Sequence, residues 1–296
     1  MKKASSRRAA LKKIAGSAAL VTVGPTLSAR VAAAEQAMGT ELKGKINHSV
    51  CKWCYDKVPL DQFCQEAKKI GLKSIELLGP EDWPTLKKYG LTCALPNGAG
   101  KGIEQGFNDP KLHDELVKSY EEVIPKVAAA GYNQIICFSG NRRGMSDEEG
   151  MKNCAVGLKR LMPTAEKYKV TMVMELLNSK VNHKDYMCDH TEWGVGLCKL
   201  VGSERFKLLY DIYHMQIMEG DVIATIKKHN QYISHYHTGG VPGRNEIDET
   251  QELNYPAIMK AIVDTGFKGF VAQEFIPKRE DKLASLNQGV KICDVA

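Results

Sequence analysis

The sequence predicts an α/β chain folded as a (β/α)8 barrel of the TIM type. Eight short apolar runs alternate with stretches of helical periodicity over most of its 296 residues. No linker rich in Pro, Gly or Ser divides them. Four polar residues close four of the later runs: Glu175 in VTMVME, Asp211 in FKLLYD, His237 in YISHYH and Glu274 in GFVAQE. They are 36, 26 and 37 residues apart, each interval long enough for a loop, a helix and the next strand. Since periodicity alone cannot close a sheet, a doubly wound open sheet is the structural alternative.

Taken in order, the strands are expected over 45–50, 72–78, 91–96, 133–139, 170–175, 206–211, 232–237 and 269–275. Leu60, Phe63, Ala67 and Ile70 recur at helical spacing before Gly71, marking a helix over 59–70. Further helices are expected over 81–89, 109–130, 191–201, 221–229, 255–265 and 279–290. Ser146 and Glu149 form a capping box that opens a helix running to Tyr168. The stretch NGAGKGIEQGFNDP lacks the GxxxxGK[ST] pattern of a phosphate loop and reads as a long loop over the barrel mouth. GNRRG at 140–144 puts Arg142 and Arg143 at the same mouth, where either could meet an anionic substrate or simply face water.

Binding residues of such barrels gather at the carboxyl ends of the strands. Any one of the four strand-end residues could cap a helix or face water. Four together make an oxygen-rich site for a divalent cation, with Mg²⁺ or Mn²⁺ fitting three carboxylates and one imidazole, and Zn²⁺ also compatible. His235 lies on the same strand face as His237 and is the alternative ligand if the register shifts.

Residues 1–34 stand apart. ASSRRAALKK precedes the apolar IAGSAALVTVGP, and the segment ends in Ala32-Ala33-Ala34. With Arg7-Arg8 this reads as a twin-arginine export signal and predicts an extracytoplasmic, periplasmic location. Residues 35–44 read as a flexible lead and 45–296 as the barrel domain. The apolar stretch is short for a membrane span, and no later stretch is long enough. The whole chain carries +6. Residues 1–34 hold four Lys, three Arg and no acid, so the remainder comes to −1. A near-neutral domain argues against a nucleic-acid partner. The nine cysteines sit mostly in apolar runs and read as buried thiols rather than a disulfide framework. Cys51-x-x-Cys54 has no second CxxC and is a weak signal for zinc or redox chemistry.

The runs LLYDIYHMQIMEGD at 208–221 and GVPGRNEIDETQELNYP at 240–256 resemble the hydroxypyruvate isomerase group of the xylose-isomerase-like TIM barrels, a likeness that covers nearly all of 45–293. The resemblance implies Glu175, Asp211, His237 and Glu274 as metal ligands, with Glu175 and Glu274 also as the acid–base pair. It implies His214 and Arg244 as substrate contacts, His183 as a further pocket member, and by family habit it allows a homo-oligomer. His237 departs from the Gln that hydroxypyruvate isomerases can carry there, and matches the ketose 3-epimerases.

The implied activity interconverts hydroxypyruvate and tartronate semialdehyde, or a related hydroxy-carbonyl acid or sugar, through an enediolate whose charge needs a cation. An acidic substrate would also need a cation for its own carboxylate: Arg244, Arg142 or Arg143. A ketose 3-epimerase, or an isomerase or dehydratase of a cyclic polyol, is the enzymatic alternative. An exported sugar-binding protein without turnover is the alternative from another class.

Overall fold

The computed structural model describes residues 41–296, so the expected export signal and most of the flexible lead lie outside the described residues. Six parallel strands form one curled sheet: β1 (Asn47–Val50), β2 (Gln134–Cys137), β3 (Thr171–Glu175), β4 (Phe206–Asp211), β5 (Ile233–Thr238) and β6 (Phe270–Gln273), in the order β1-β6-β5-β4-β3-β2. Nine helices surround it among the described residues: α1 (Leu60–Ile70), α2 (Trp83–Lys88), α3 (His113–Ala129), α4 (Asp147–Tyr168), α5 (Thr191–Val201), α6 (Ile212–Met218), α7 (Val222–His229), α8 (Tyr255–Asp264) and α9 (Lys282–Cys293).

The regular sheet is open and has six strands, not the closed eight expected. Between its edges, β1 and β2, lie the two segments expected as strands over 72–78 and 91–96. They are extended but joined only by isolated bridges, Cys51 to Glu76 and Ser74 to Thr92. Backbone bonds still cross the gap: Lys73 N to His48 O (3.1 Å) and Glu76 N to Val50 O (2.9 Å) from the first segment to β1, Thr92 N to Lys73 O (3.0 Å), Ile75 N to Thr92 O (3.2 Å) and Leu77 N to Leu95 O (2.9 Å) between the two segments, and Ile136 N to Pro96 O (3.3 Å) on to β2. The backbone supplies a reason for the interruption. Leu77 adopts a left-handed conformation (φ 57°), which breaks the regular extended path of a strand.

β3 is buried at every position, as expected for a parallel strand covered by helices outside and packed side chains inside. Side chains alternate between the two faces. Leu95, Ile136, Val173 and Leu209 form a small apolar group of their own, apart from the large core between sheet and helices. Two residues along from Val173 and Leu209 on the same faces come Glu175 and Asp211, so this apolar group lies one layer below them. Phe63, Cys64 and Ala67 of α1 and the long buried face of α4 belong to the outer core. Ser146 caps α4 by accepting from Glu149 N at 3.2 Å. All nine cysteines are free and buried, consistent with small apolar residues. None of the described helices is long and apolar enough to cross a membrane.

Candidate metal and acid–base site

Parallel register places Asp211 opposite His237, and His237 opposite Ala272, two residues before Glu274. Glu175 ends β3. As a result one donor atom from each of Glu175, Asp211, His237 and Glu274 lies within 4.8 Å of the other three. All four side chains are buried.

Asp211 ends β4 and also caps α6, a helix the sequence reading missed: Oδ1 accepts from His214 N at 3.0 Å. That leaves Oδ2 for the site. Glu274 is the most heavily contacted. Its Oε1 accepts from Trp53 Nε1 at 2.9 Å, and its Oε2 faces His237 Nδ1 at 2.8 Å and accepts from Arg244 at 2.5 Å. Glu175 Oε1 stands 3.5 Å from His237 Nδ1. Arg244 comes from a tight turn after β5, closed by Gly240 N to Asn245 O at 2.9 Å. A Cβ at Gly240 would stand 2.4 Å from Glu246 O, so only glycine fits there. The Arg244 guanidinium lies 5.1 Å from the Trp53 ring centroid and 5.5 Å from that of Tyr213.

The two glutamates are electrostatically unequal. Burial and then the charge of Glu274 raise the pKa of Glu175 above the usual carboxylate value. Burial also acts to raise Glu274, but Arg244 and His237 outweigh it and hold the group well below that value. Asp211 is raised well above it by burial, which Arg244 only partly offsets.

Two buried atoms of the cluster, Glu175 Oε1 and Asp211 Oδ2, have no hydrogen-bond partner. Unsatisfied buried carboxylate oxygens are costly. Three carboxylates and an imidazole with two such oxygens turned toward one point fit a divalent cation. The donor set is compatible with Mg²⁺, Mn²⁺ or Zn²⁺.

Above the cluster opens a cavity of about 510 Å³ lined by Glu175, Glu274, His183 and Arg244, with Trp53, Leu77, Ile136, Phe138 and the glycine-rich stretch 98–102. The loop expected over the mouth is therefore part of its wall. His214 is fully buried behind Asp211 and does not line the cavity; its ring meets Asn178 and lies 5.3 Å from that of His183. Arg142, expected at the mouth, is not among the lining residues. It is drawn away by Asp147, by Asp189 Oδ1 at 3.0 Å and by Met187 O at 3.2 Å. Arg143 likewise binds Glu104 O, and its backbone N binds Asp185. Sequence reasoning gave Trp53 and Glu76 no place in the site. Trp53 touches Glu274, and Glu76 touches His237 at 2.8 Å.

A family model described as xylose isomerase-like TIM barrel matches residues 64–291. The chain belongs to the xylose-isomerase-like TIM barrel family. Among its relatives is the 2-oxo-tetronate isomerase of Cupriavidus necator, 35% identical over 232 residues that cover 74% of this chain and 87% of that one. The putative hydroxypyruvate isomerase of Homo sapiens is 25% identical over 231 residues, covering 76% of this chain and 78% of the relative. The solved structure of a 3-keto-D-glucoside 4-epimerase from E. coli superposes with a TM-score of 0.70 at 16% identity, over 83% of this chain and 98% of that one, and shows the shared fold. Fold and cluster together support catalytic activity, with a donor cluster suited to a divalent cation at the strand ends.

Proposed function

We propose that the protein is a metal-assisted isomerase or epimerase that moves a proton on the carbon beside the carbonyl of a ketose-like sugar. The observation that carries this is the pairing of Glu175 and Glu274 in one cavity, over a donor cluster suited to a divalent cation. Glu175, Asp211, His237 and Glu274 would hold the cation, which supplies polarisation of the substrate carbonyl and offsets negative charge on its oxygen. Glu274, kept anionic by the Arg244 guanidinium, abstracts the proton. Glu175, the second carboxylate of the same cavity, is placed to return one. Return to the same carbon from the opposite face inverts it. Return to the neighbouring carbon, with the hydroxyl proton passing to the former carbonyl oxygen, shifts the carbonyl.

Substrate charge favours a neutral sugar. Among the described lining residues Arg244 is the one cation, and Glu274 and Asp211 already face it at 2.5 and 3.6 Å. A cavity of about 510 Å³ holds a sugar more fully than a three-carbon acid. The second reading, isomerisation of a 2-oxo acid, is favoured by the 35% identical relative. Incubating the Mn²⁺-loaded protein with neutral ketoses and with hydroxypyruvate separates the two. Turnover confined to the acids would overturn the sugar reading, and turnover of neither would leave only the sugar-binding reading.

The extracytoplasmic location expected from residues 1–34 belongs to the same proposal. It rests on the Arg7-Arg8 pair and the apolar stretch that follows. Replacing both arginines with lysine and fractionating the cells tests it. An unchanged distribution would contradict it.

A further inference from the structure

Two histidines share the inner face of β5, and both turn Nε2 toward one oxygen. His235 Nε2 and His237 Nε2 each lie 2.8 Å from Glu76 Oε1. Glu76 is fully buried and does not line the cavity. Its backbone is pinned to β1 from both sides, by Glu76 N to Val50 O at 2.9 Å and Lys52 N to Glu76 O at 3.2 Å. The next residue, Leu77, turns left-handed, so the second strand position is regular only up to this carboxylate. Cys51 closes the remaining side, with Sγ 3.8 Å from His237 Nε2 and 4.0 Å from Glu76 Oε1.

A carboxylate can only accept. A neutral imidazole that donates from Nε2 carries its lone pair at Nδ1. Nδ1 of His237 faces two further carboxylates, Glu274 Oε2 at 2.8 Å and Glu175 Oε1 at 3.5 Å, so without a cation both ring nitrogens donate; with a cation held by those carboxylates, the bond to Glu76 keeps the proton on Nε2 and leaves the Nδ1 lone pair for the cation. His235 makes the same bond to the same oxygen and with Glu76 and His237 forms a three-residue donor group, yet its Nδ1 has no hydrogen-bond partner and it lies outside the four-residue set.

We infer that Glu76 is a positioning residue: its carboxylate holds His237 in the tautomer that presents Nδ1 to the site, and it separates a metal-facing histidine from a structural one, His235. This rests on the metal reading of the cluster. Partners of this kind orient ligating histidines and typically change metal affinity 10- to 100-fold when removed.

The test measures binding of Mn²⁺ alone by calorimetry to the wild type, Glu76→Gln and Glu76→Leu, with the unfolding temperature of each metal-free protein. We expect one ion per chain, a Kd raised about 10- to 100-fold in Glu76→Leu, and less than a tenfold change in Glu76→Gln, which keeps an acceptor oxygen. Unchanged affinity in Glu76→Leu, with only a lower unfolding temperature, would make Glu76 purely structural. Two ions in the wild type and one in Glu76→Leu would make it a ligand. No ion in the wild type would sink the metal reading itself. Should Glu76→Leu not fold, ¹⁵N-histidine spectra of the Zn²⁺-loaded wild type decide the matter. Coordination at His237 Nδ1 with a proton on Nε2 supports the assignment, and coordination at Nε2 overturns it.

Discussion

Trp53 donates its indole N–H to Glu274, with Nε1 2.9 Å from Oε1, and so ties the loop after β1 to the end of β6 at the cavity wall. The same indole stacks near Arg244, which binds the other oxygen of Glu274. Hydrogen bonds to charged groups contribute about 1.5–3 kcal/mol. Trp53→Phe keeps the ring and removes the donor. Its kcat should fall about 10- to 100-fold, with a smaller change in KM, by steady-state kinetics on whichever ketose or 2-oxo acid the wild type turns over. Unchanged kcat would show that the indole does not position Glu274.

Arg244 is balanced by Glu274 and Asp211 rather than left free for a substrate anion. Arg244→Ala leaves two buried carboxylates uncompensated, a change that costs about 3–5 kcal/mol. Urea unfolding of the metal-free variant should show a loss of this order. Activity on a neutral ketose and on hydroxypyruvate should fall in similar proportion. A loss confined to the acidic substrate would assign Arg244 to substrate charge instead.

Arg142 makes its bonds outside the cavity, to Asp147, Asp189 and Met187 O. Arg142→Ala should therefore leave KM within about twofold while lowering the unfolding temperature, since Asp189 is buried and loses a partner. A large rise in KM with stability intact would return Arg142 to the substrate.

His48 is buried near the chain's end, with Asp294 3.6 Å away. Burial depresses its pKa below the ordinary 6.5; Asp294 opposes the shift, and Lys73 adds slightly to it. A group whose folded pKa is depressed takes up a proton more readily when unfolded. Folding is thus most favoured above pH 6.5 and weakens as pH falls through the folded value. The stability difference between wild type and His48→Asn should shrink or reverse on acidification from pH 7 to pH 5, roughly the range where histidine titrates. A difference independent of pH would contradict this.

Much of the architecture was legible because its signals are local. Glu175, Asp211, His237 and Glu274 stood out as polar residues ending apolar runs, and strand register then carries them to one place. His235, two residues earlier on the same face, falls outside that four-residue group. What was not legible depends on long-range partners or on backbone turns. LKSIELL reads as a continuous strand, yet it is interrupted at Leu77, so Glu76 looked like an ordinary strand residue rather than the partner of two histidines 159 and 161 positions away. GNRRG reads as an exposed cationic loop, and nothing local shows that Asp189, 47 positions on, draws Arg142 away. IYHMQIM follows directly on a strand, and its helix becomes recognisable only once Asp211 is seen to cap it.

The central claim, that Glu175 and Glu274 move a proton beside a carbonyl with a cation held between them, is tested most directly by solvent exchange. The Mn²⁺-loaded protein is incubated in D₂O with a panel of neutral ketoses and 2-oxo acids, and deuterium at the carbon next to the carbonyl is followed by NMR. The account predicts incorporation into at least one ketose, abolished by chelation and by Glu274→Gln. Full metal occupancy with no incorporation into any of them, or incorporation that persists in Glu274→Gln, would contradict it.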